Sequence, residues 1–180
     1  VTIAGDVNGT GVFTIAAPNG NTNRTLTLPD EAGTVALQGG AGVGKVLQVV
    51  QGTTATVTTT TSQSFQSTGL TAAITPSSTS SKILIIATST LVGTTLTDVL
   101  TTIYRGNTST GVNVSGGNLS AKYNAQASEN SSVTNQYLDS PSTTSSQTYT
   151  FAFRSSASGQ TVTAQSGGVI GVIILMEIAA

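Results

Sequence analysis

Two stretches, Lys82-Ile83-Leu84-Ile85-Ile86 and Val172-Ile173-Ile174-Leu175-Met176, carry an apolar side chain at every position after the leading lysine. Both fall far short of the roughly eighteen to twenty apolar residues that span a bilayer, so they read as buried strands. Successive side chains of a strand point to opposite faces, so both faces of these two must be covered. A two-layer sandwich covers one face only, and the other calls for a neighbouring subunit. Ile83, Ile85, Ile174 and Met176, or the opposite-parity set Leu84, Ile86, Ile173 and Leu175, are therefore candidate oligomer-interface positions, with the closing strand, through Ile174, Leu175 and Met176, the stronger candidate.

The rest of the chain fits around such strands. From Lys45 onward, Val46–Val50, Ala55–Thr61, Gly69–Thr75, Lys82–Thr90, Val99–Arg105, Gly111–Val114, Asn118–Gln126, Val133–Leu138, Gln147–Arg154, Gln160–Ala164 and Gly171–Ile178 each read as a short strand bounded by Gly, Pro, Ser or Asn. This spacing, with Thr, Val and Ile dominating over helix formers, predicts an all-β fold. Residues 45–180 are expected to form one antiparallel, jelly-roll-like β-sandwich with almost no helix. In Tyr149-Thr150-Phe151-Ala152-Phe153 the aromatics share one parity, which predicts an inward aromatic face.

Residues 1–38 read differently. Leu26 and Leu28 alternate with threonines, Pro29 to Gly33 interrupt the strand, and Val35 and Leu37 resume it, giving a strand, a turn and a strand. A Gly-rich linker, 39–44, separates this segment from the head. Segments of about forty residues seldom fold alone without disulfides, metal or association. The chain has no cysteine, so an intertwined β-stem is expected, burying Leu26, Leu28, Val35 and Leu37 between identical chains.

The run Pro18-Asn19-Gly20, Arg24 to Asp30 and Ala32-Gly33-Thr34-Val35-Ala36 resembles a segment that recurs in bacteriophage tail fibres and related virion appendage proteins. The head resembles their Ser/Thr-rich terminal domains more loosely, through TPSSTSSKILI and the closing ILMEIAA. The resemblance implies a homotrimer in the virion, joined to other virion proteins through the N-terminal segment.

Charge narrows the chemistry. Only 7% of the residues are charged and the net charge is −1, against roughly 25% charged residues in ordinary globular proteins. The basic residues are scattered, which argues against nucleic acid or an anionic membrane as partner. With no His and no Cys, the serine, cysteine and zinc hydrolase constellations cannot be assembled within one chain. Gly39 to Lys45 has the glycine-and-lysine spacing of a phosphate-binding loop, but Val46 stands where a metal-binding hydroxyl belongs and a strand follows instead of a helix. A linker is the better reading. The sequence also begins with Val1 and shows no signal peptide, which is expected of a piece of a longer chain.

Among the acids, Asp30 and Glu31 read as turn residues. Asp98 could meet Arg105, or Asp139 meet Arg154, only through folding. Glu177 shares parity with Ile173 and Leu175 and would need a hydrogen-bonding or cationic partner if buried. The sequons at Asn8, Asn23, Asn107, Asn113, Asn118 and Asn130 arise by chance in so Asn- and Thr-rich a chain. Tyr104, Arg105 and Asn107, then Tyr123, then Tyr137 and Asp139 set amphipathic rings beside hydrogen-bonding groups near turns, and are candidate receptor contacts for a host polysaccharide or protein. The expected function is a non-enzymatic structural component of a phage tail fibre, with no cofactor and no metal. A carbohydrate-binding or tailspike-like polysaccharide-acting domain is one alternative, and a capsid decoration protein another.

Overall fold

A computed structural model of the chain describes Gly20 and residues 45–94, 97–122 and 129–179. The chain divides into two units, Val1–Gly40 and Ala41–Ala180, and every described strand belongs to the second. The expected stem with Leu26, Leu28, Val35 and Leu37, the glycine linker, the Asp30-Glu31 pair and Tyr123 lie outside the described residues.

The described residues of the head form eleven strands: β1 (Val46–Thr54), β2 (Thr58–Thr60), β3 (Gln66–Ile74), β4 (Lys82–Gly93), β5 (Val99–Arg105), β6 (Val112–Asn113), β7 (Ser120–Lys122), β8 (Ser131–Asp139), β9 (Gln147–Ser155), β10 (Val162–Ala164) and β11 (Gly171–Ile178). Each has a counterpart among the segments expected from the sequence. A single turn of 3-10 helix, Ser166–Gly168, is the one helical element among the described residues.

All pairings are antiparallel, in two sheets that face each other as a β-sandwich. In the first sheet β4 is central. One of its edges pairs with β11 and then β10, the other with β8, while β1 and β2 extend the sheet outward. The second sheet runs β3-β9-β5, with β6 and β7 both on β5. The chain changes sheet between β2 and β3, β3 and β4, β4 and β5, β7 and β8, β8 and β9, and β9 and β10. Neither sheet can therefore form without the other.

The sandwich interior holds Leu70, Ile74, Ile83, Ile85, Ile103, Tyr149, Phe151, Ile173 and Leu175, continued by Leu91, Val99, Phe153 and Val162. The aromatic parity of β9 faces inward as expected. The two apolar runs need a correction. Ile85 lies opposite Leu175 in the β4–β11 ladder, so Ile83, Ile85, Ile173 and Leu175 share one face, which is the core of this same chain. Ile83, Ile85 and Leu175 are thus intrachain core residues, not interface positions. The outward set is Leu84, Ile86, Ile174 and Met176, all half-buried. Parity within each strand was readable; which parity of one strand joins which of the other depends on a register that periodicity does not fix.

Polar side chains fill gaps in this core. β3 carries a bulge between Ser67 and Thr71, centred on Gly69 at φ +80°. The bulge disturbs the ladder to β9, and the buried Thr68 hydroxyl takes its place by donating to the Phe151 carbonyl at 2.8 Å. Gly69 is therefore an interior residue of β3, where the sequence suggested the strand's start. Gln165 is fully buried, and its amide donates to the Thr68 and Thr56 carbonyls at 2.9 and 3.2 Å while accepting from the Ser89 hydroxyl at 3.0 Å. Between the sheets, Asn135 of β8 donates to Thr101 Oγ1 at 2.9 Å and accepts from Ser120 at 2.8 Å.

The two sheets come closest along β1 and β3. A Cβ built on Gly52 would sit 2.1 Å from the Thr71 carbonyl oxygen, a backbone atom that cannot swing aside. Gly52→Ala should force these strands apart and cost about 1–3 kcal/mol, as overpacking typically does. The thermal midpoint checks this, with Gly116→Ala as the contrast, since Gly116 has open space around its missing Cβ and only its φ of +70° to strain.

Candidate functional site

Two charged positions singled out from the sequence meet inside the sandwich. Arg105 ends β5, Asp139 ends β8, and Arg105 Nη1 donates to Asp139 Oδ2 at 3.0 Å. The same oxygen accepts the Tyr149 hydroxyl at 2.7 Å. Because β8 belongs to the first sheet and β5 and β9 to the second, this triad fastens the sheets together. Burial foremost, then the hydrogen bond and charge of Asp139, push the Tyr149 phenol far above its ordinary range, with Arg105 offsetting a part. The phenol is a permanent donor. Asp139 thus pairs with Arg105, not with Arg154, and Asp98 is not ion-paired to Arg105.

Glu177 is also buried, with no cation paired to it among the described residues. It lies next to the β1 ladder, where Gln48 Nε2 donates to its Oε2 at 2.6 Å, while Ser77 gives its Oε1 both a backbone N–H at 2.7 Å and a hydroxyl at 2.6 Å. Burial alone would raise the carboxyl. The bonds from Ser77 and Gln48 outweigh it and hold the pKa at about 2 instead of 4.5. The buried Ser81 hydroxyl adds to the lowering without reaching hydrogen-bond geometry of its own. In the β4 ladders Asp139 and Glu177 both lie opposite Ile83, one on each side of it, so a strand separates the two carboxylates. Among the described residues no group of three or more Asp or Glu is placed to hold a metal ion.

What remains exposed lies on the outer faces of the two sheets. On the first sheet, the register aligns Leu138 of β8, Leu84 of β4, Met176 of β11 and Val49 of β1 in one row across four strands. Leu138 is 48% and Val49 58% exposed. Gln136, Ile86, Ile174 and Gln51 form the next row, and Thr134, Thr88, Val172 and Thr53 the one after. On the other side of the apolar row lie Val46, Ile178 and Lys82. The face is thus apolar at the end where Lys45 leads into β1 and hydroxyl-rich at the other. No described element packs over it.

The outer face of the second sheet is of another kind. A cleft of about 470 Å³ is lined by Ser67 and Thr71 of β3, Thr148 and Thr150 of β9, and Gly106, Asn107 and Thr108 of the β5–β6 turn. Beside it, Tyr104 is the cross-strand neighbour of Thr150 and meets Phe65 edge to face at 6.1 Å. Arg154 lies over the Phe65 ring, its guanidinium 5.2 Å from the ring centre.

Of the candidate receptor contacts, Asn107 lines this cleft and Tyr104 is the cross-strand neighbour of its lining residue Thr150. Arg105 and Asp139 are spent on the inter-sheet triad, and Tyr137 packs against the core from β8. Ser67, Thr71, Thr148 and Thr150 escaped the sequence reading because threonine and serine occur everywhere in this chain. Phe65, a lone aromatic among Ser64, Gln63 and Gln66, was the available signal.

No protein-family model and no curated protein matches this chain. Among solved structures, the infectious bursal disease virus Gx strain structure is similar at 13% identity and a TM-score of 0.37, over 75% of this chain and 38% of that one. The D431N mutant VP2 protein of the same virus is similar at 10% identity and a TM-score of 0.36, over 82% of this chain and 42% of that one. This chain therefore spans less than half the length of either. Likenesses this distant carry no functional argument.

Proposed function

We propose that the chain is a non-enzymatic structural component of a phage virion appendage of the tail-fibre type. Its head assembles as a homotrimer through the outer face of the first sheet, its N-terminal segment joins other virion proteins, and the second sheet is left to face the host. The observation that carries this reading is the apolar row Leu138, Leu84, Met176 and Val49 on one outer face. Contiguous apolar surface of this kind marks an interaction site in soluble proteins. The sparse charge agrees, because a subunit whose surface is partly interface needs fewer solubilising groups. The resemblance of residues 18–36 to phage appendage segments supplies the virion context.

Sedimentation equilibrium on the full chain tests the assembly, and gold-labelled antibody on intact particles tests the location. Leu84→Asp places a carboxylate in the middle of the row and should weaken association by at least about a hundredfold, since burying an unpaired charge costs several kcal/mol. Its strand register and inward neighbours are untouched, so the variant should remain folded. A wild-type chain that sediments as a monomer at micromolar concentration would sink the proposal.

A further inference from the structure

We propose that the cleft between the β5–β6 turn and strands β3 and β9 is a binding site for a neutral oligosaccharide. The inference rests on the reading that the second sheet faces the host, and names the chemistry that would be met there.

The lining selects the ligand class. It consists of hydroxyls, one carboxamide and backbone, with no charged side chain. Arg105 is neutralised by Asp139, and Arg154, which keeps its charge over Phe65 and the Gln63 carbonyl, is not among the lining residues. A phosphate, sulfate or carboxylate would therefore lose its hydration without gaining a counter-charge. A purely apolar ligand fits no better, because it would strip water from Thr71, Thr108, Thr148 and the Asn107 Nδ2 without replacing the hydrogen bonds. These four groups have no partner among the described residues. A sugar supplies what they lack, with hydroxyls around its rim.

A sugar ring also presents apolar C–H faces, and Tyr104, the cross-strand neighbour of the lining residue Thr150, forms a ring pair with Phe65 just outside the lining. The cleft's volume of about 470 Å³ falls within the usual range for small-molecule sites. The walls are set before any ligand arrives. Asn107 Oδ1 accepts from the Ser109 and Thr110 backbone N–H groups at 2.9 and 2.8 Å, and Gly111 N–H donates to the Asn107 carbonyl at 2.9 Å. Thr150 in turn donates to the Gly106 carbonyl at 2.8 Å, and Gly106 N–H donates to the Thr148 carbonyl at 2.7 Å. The turn is locked to β9, so little ordering cost is left for binding.

The test is saturation-transfer NMR and titration of the full chain with a panel of neutral oligosaccharides: maltohexaose, isomaltohexaose, mannohexaose and galactohexaose. Oligogalacturonate and chitosan oligomers serve as the charged counterparts. Thr71→Lys and Thr148→Lys fill the cleft from exposed positions without removing an internal hydrogen bond, and Thr79→Lys adds the same charge on the exposed β3–β4 turn. Transfer to at least one neutral oligosaccharide is expected, weakened about tenfold or more in both cleft variants and unchanged in Thr79→Lys. The proposal is overturned if no neutral member receives transfer at millimolar concentration, if the cleft variants bind as wild type does, or if the charged oligomers bind equally well. Binding without antibody labelling of particles would leave the glycan site standing and remove the virion assignment. Labelling without binding would do the reverse.

Discussion

Asp139→Ala will lower the unfolding free energy of the head by about 3–5 kcal/mol, the usual consequence of removing one partner from a buried ion pair. The side chain it deletes is the shared acceptor for Arg105 and Tyr149. Without it a guanidinium and a phenol are left between two sheets with nothing to accept from them, and the Arg105 side chain, 24% exposed, can turn only partly to water. Asp139→Asn keeps an oxygen for Tyr149 but not the charge, so its loss should be smaller. Urea titration followed by tyrosine fluorescence measures both, and an unchanged slope would show that stability alone has moved. A loss under about 1 kcal/mol for Asp139→Ala would mean that the triad is no more than a surface pair.

The second large effect is on acid tolerance. The Glu177 carboxyl is held at about 2 in the folded chain against 4.5 ordinarily, so between these values the unfolded chain binds the proton and the folded chain does not. The stability contributed by Glu177 is therefore fully present above pH 4.5 and is lost as pH falls toward 2. Glu177→Gln removes the titration while keeping the size of the side chain. Stability curves of wild type and Glu177→Gln should differ by a constant amount in favour of wild type above pH 4.5, and converge between there and pH 2. Parallel curves through that window would place the acid sensitivity elsewhere. Gln48→Ala should move the wild-type curve in the same direction by less, because the two bonds from Ser77 remain.

These two carboxylates show how far a sequence of this kind can be read. Period-two patterning and turn residues located the strands, because those signals are local to a few residues. That β4 and β11 are apolar on both faces was equally plain, since it follows from composition within each strand. What stayed hidden were relations between distant residues. Asp139 meets Arg105 because β8 and β5 lie in facing sheets, whereas the sequence reading set Asp139 beside Arg154 and Arg105 beside Asp98. Glu177 was recognisable as a buried acid by its parity with Ile173 and Leu175. Its partners Ser77 and Gln48 were not, since both come from elements brought beside it by the fold. Gly69 looked like a boundary because a bulge and a strand end use the same residue for the same backbone reason. The cleft left no mark, being built from the chain's commonest residue types.

The pairing of β1 with β11 has a consequence for the head as a topological object. These are the first and last strands of the head, and beyond them Ala179 N–H still donates to the Lys45 carbonyl at 2.9 Å. The polypeptide enters and leaves at one corner, so the head is in effect a ring of strands opened at that corner. Closing it there with a short linker and reopening it in the exposed segment around Ser145 and Ser146, between β8 and β9, would leave every strand beside the neighbours it already has. Packing dictates the circular order of the strands and is indifferent to which of them is made first.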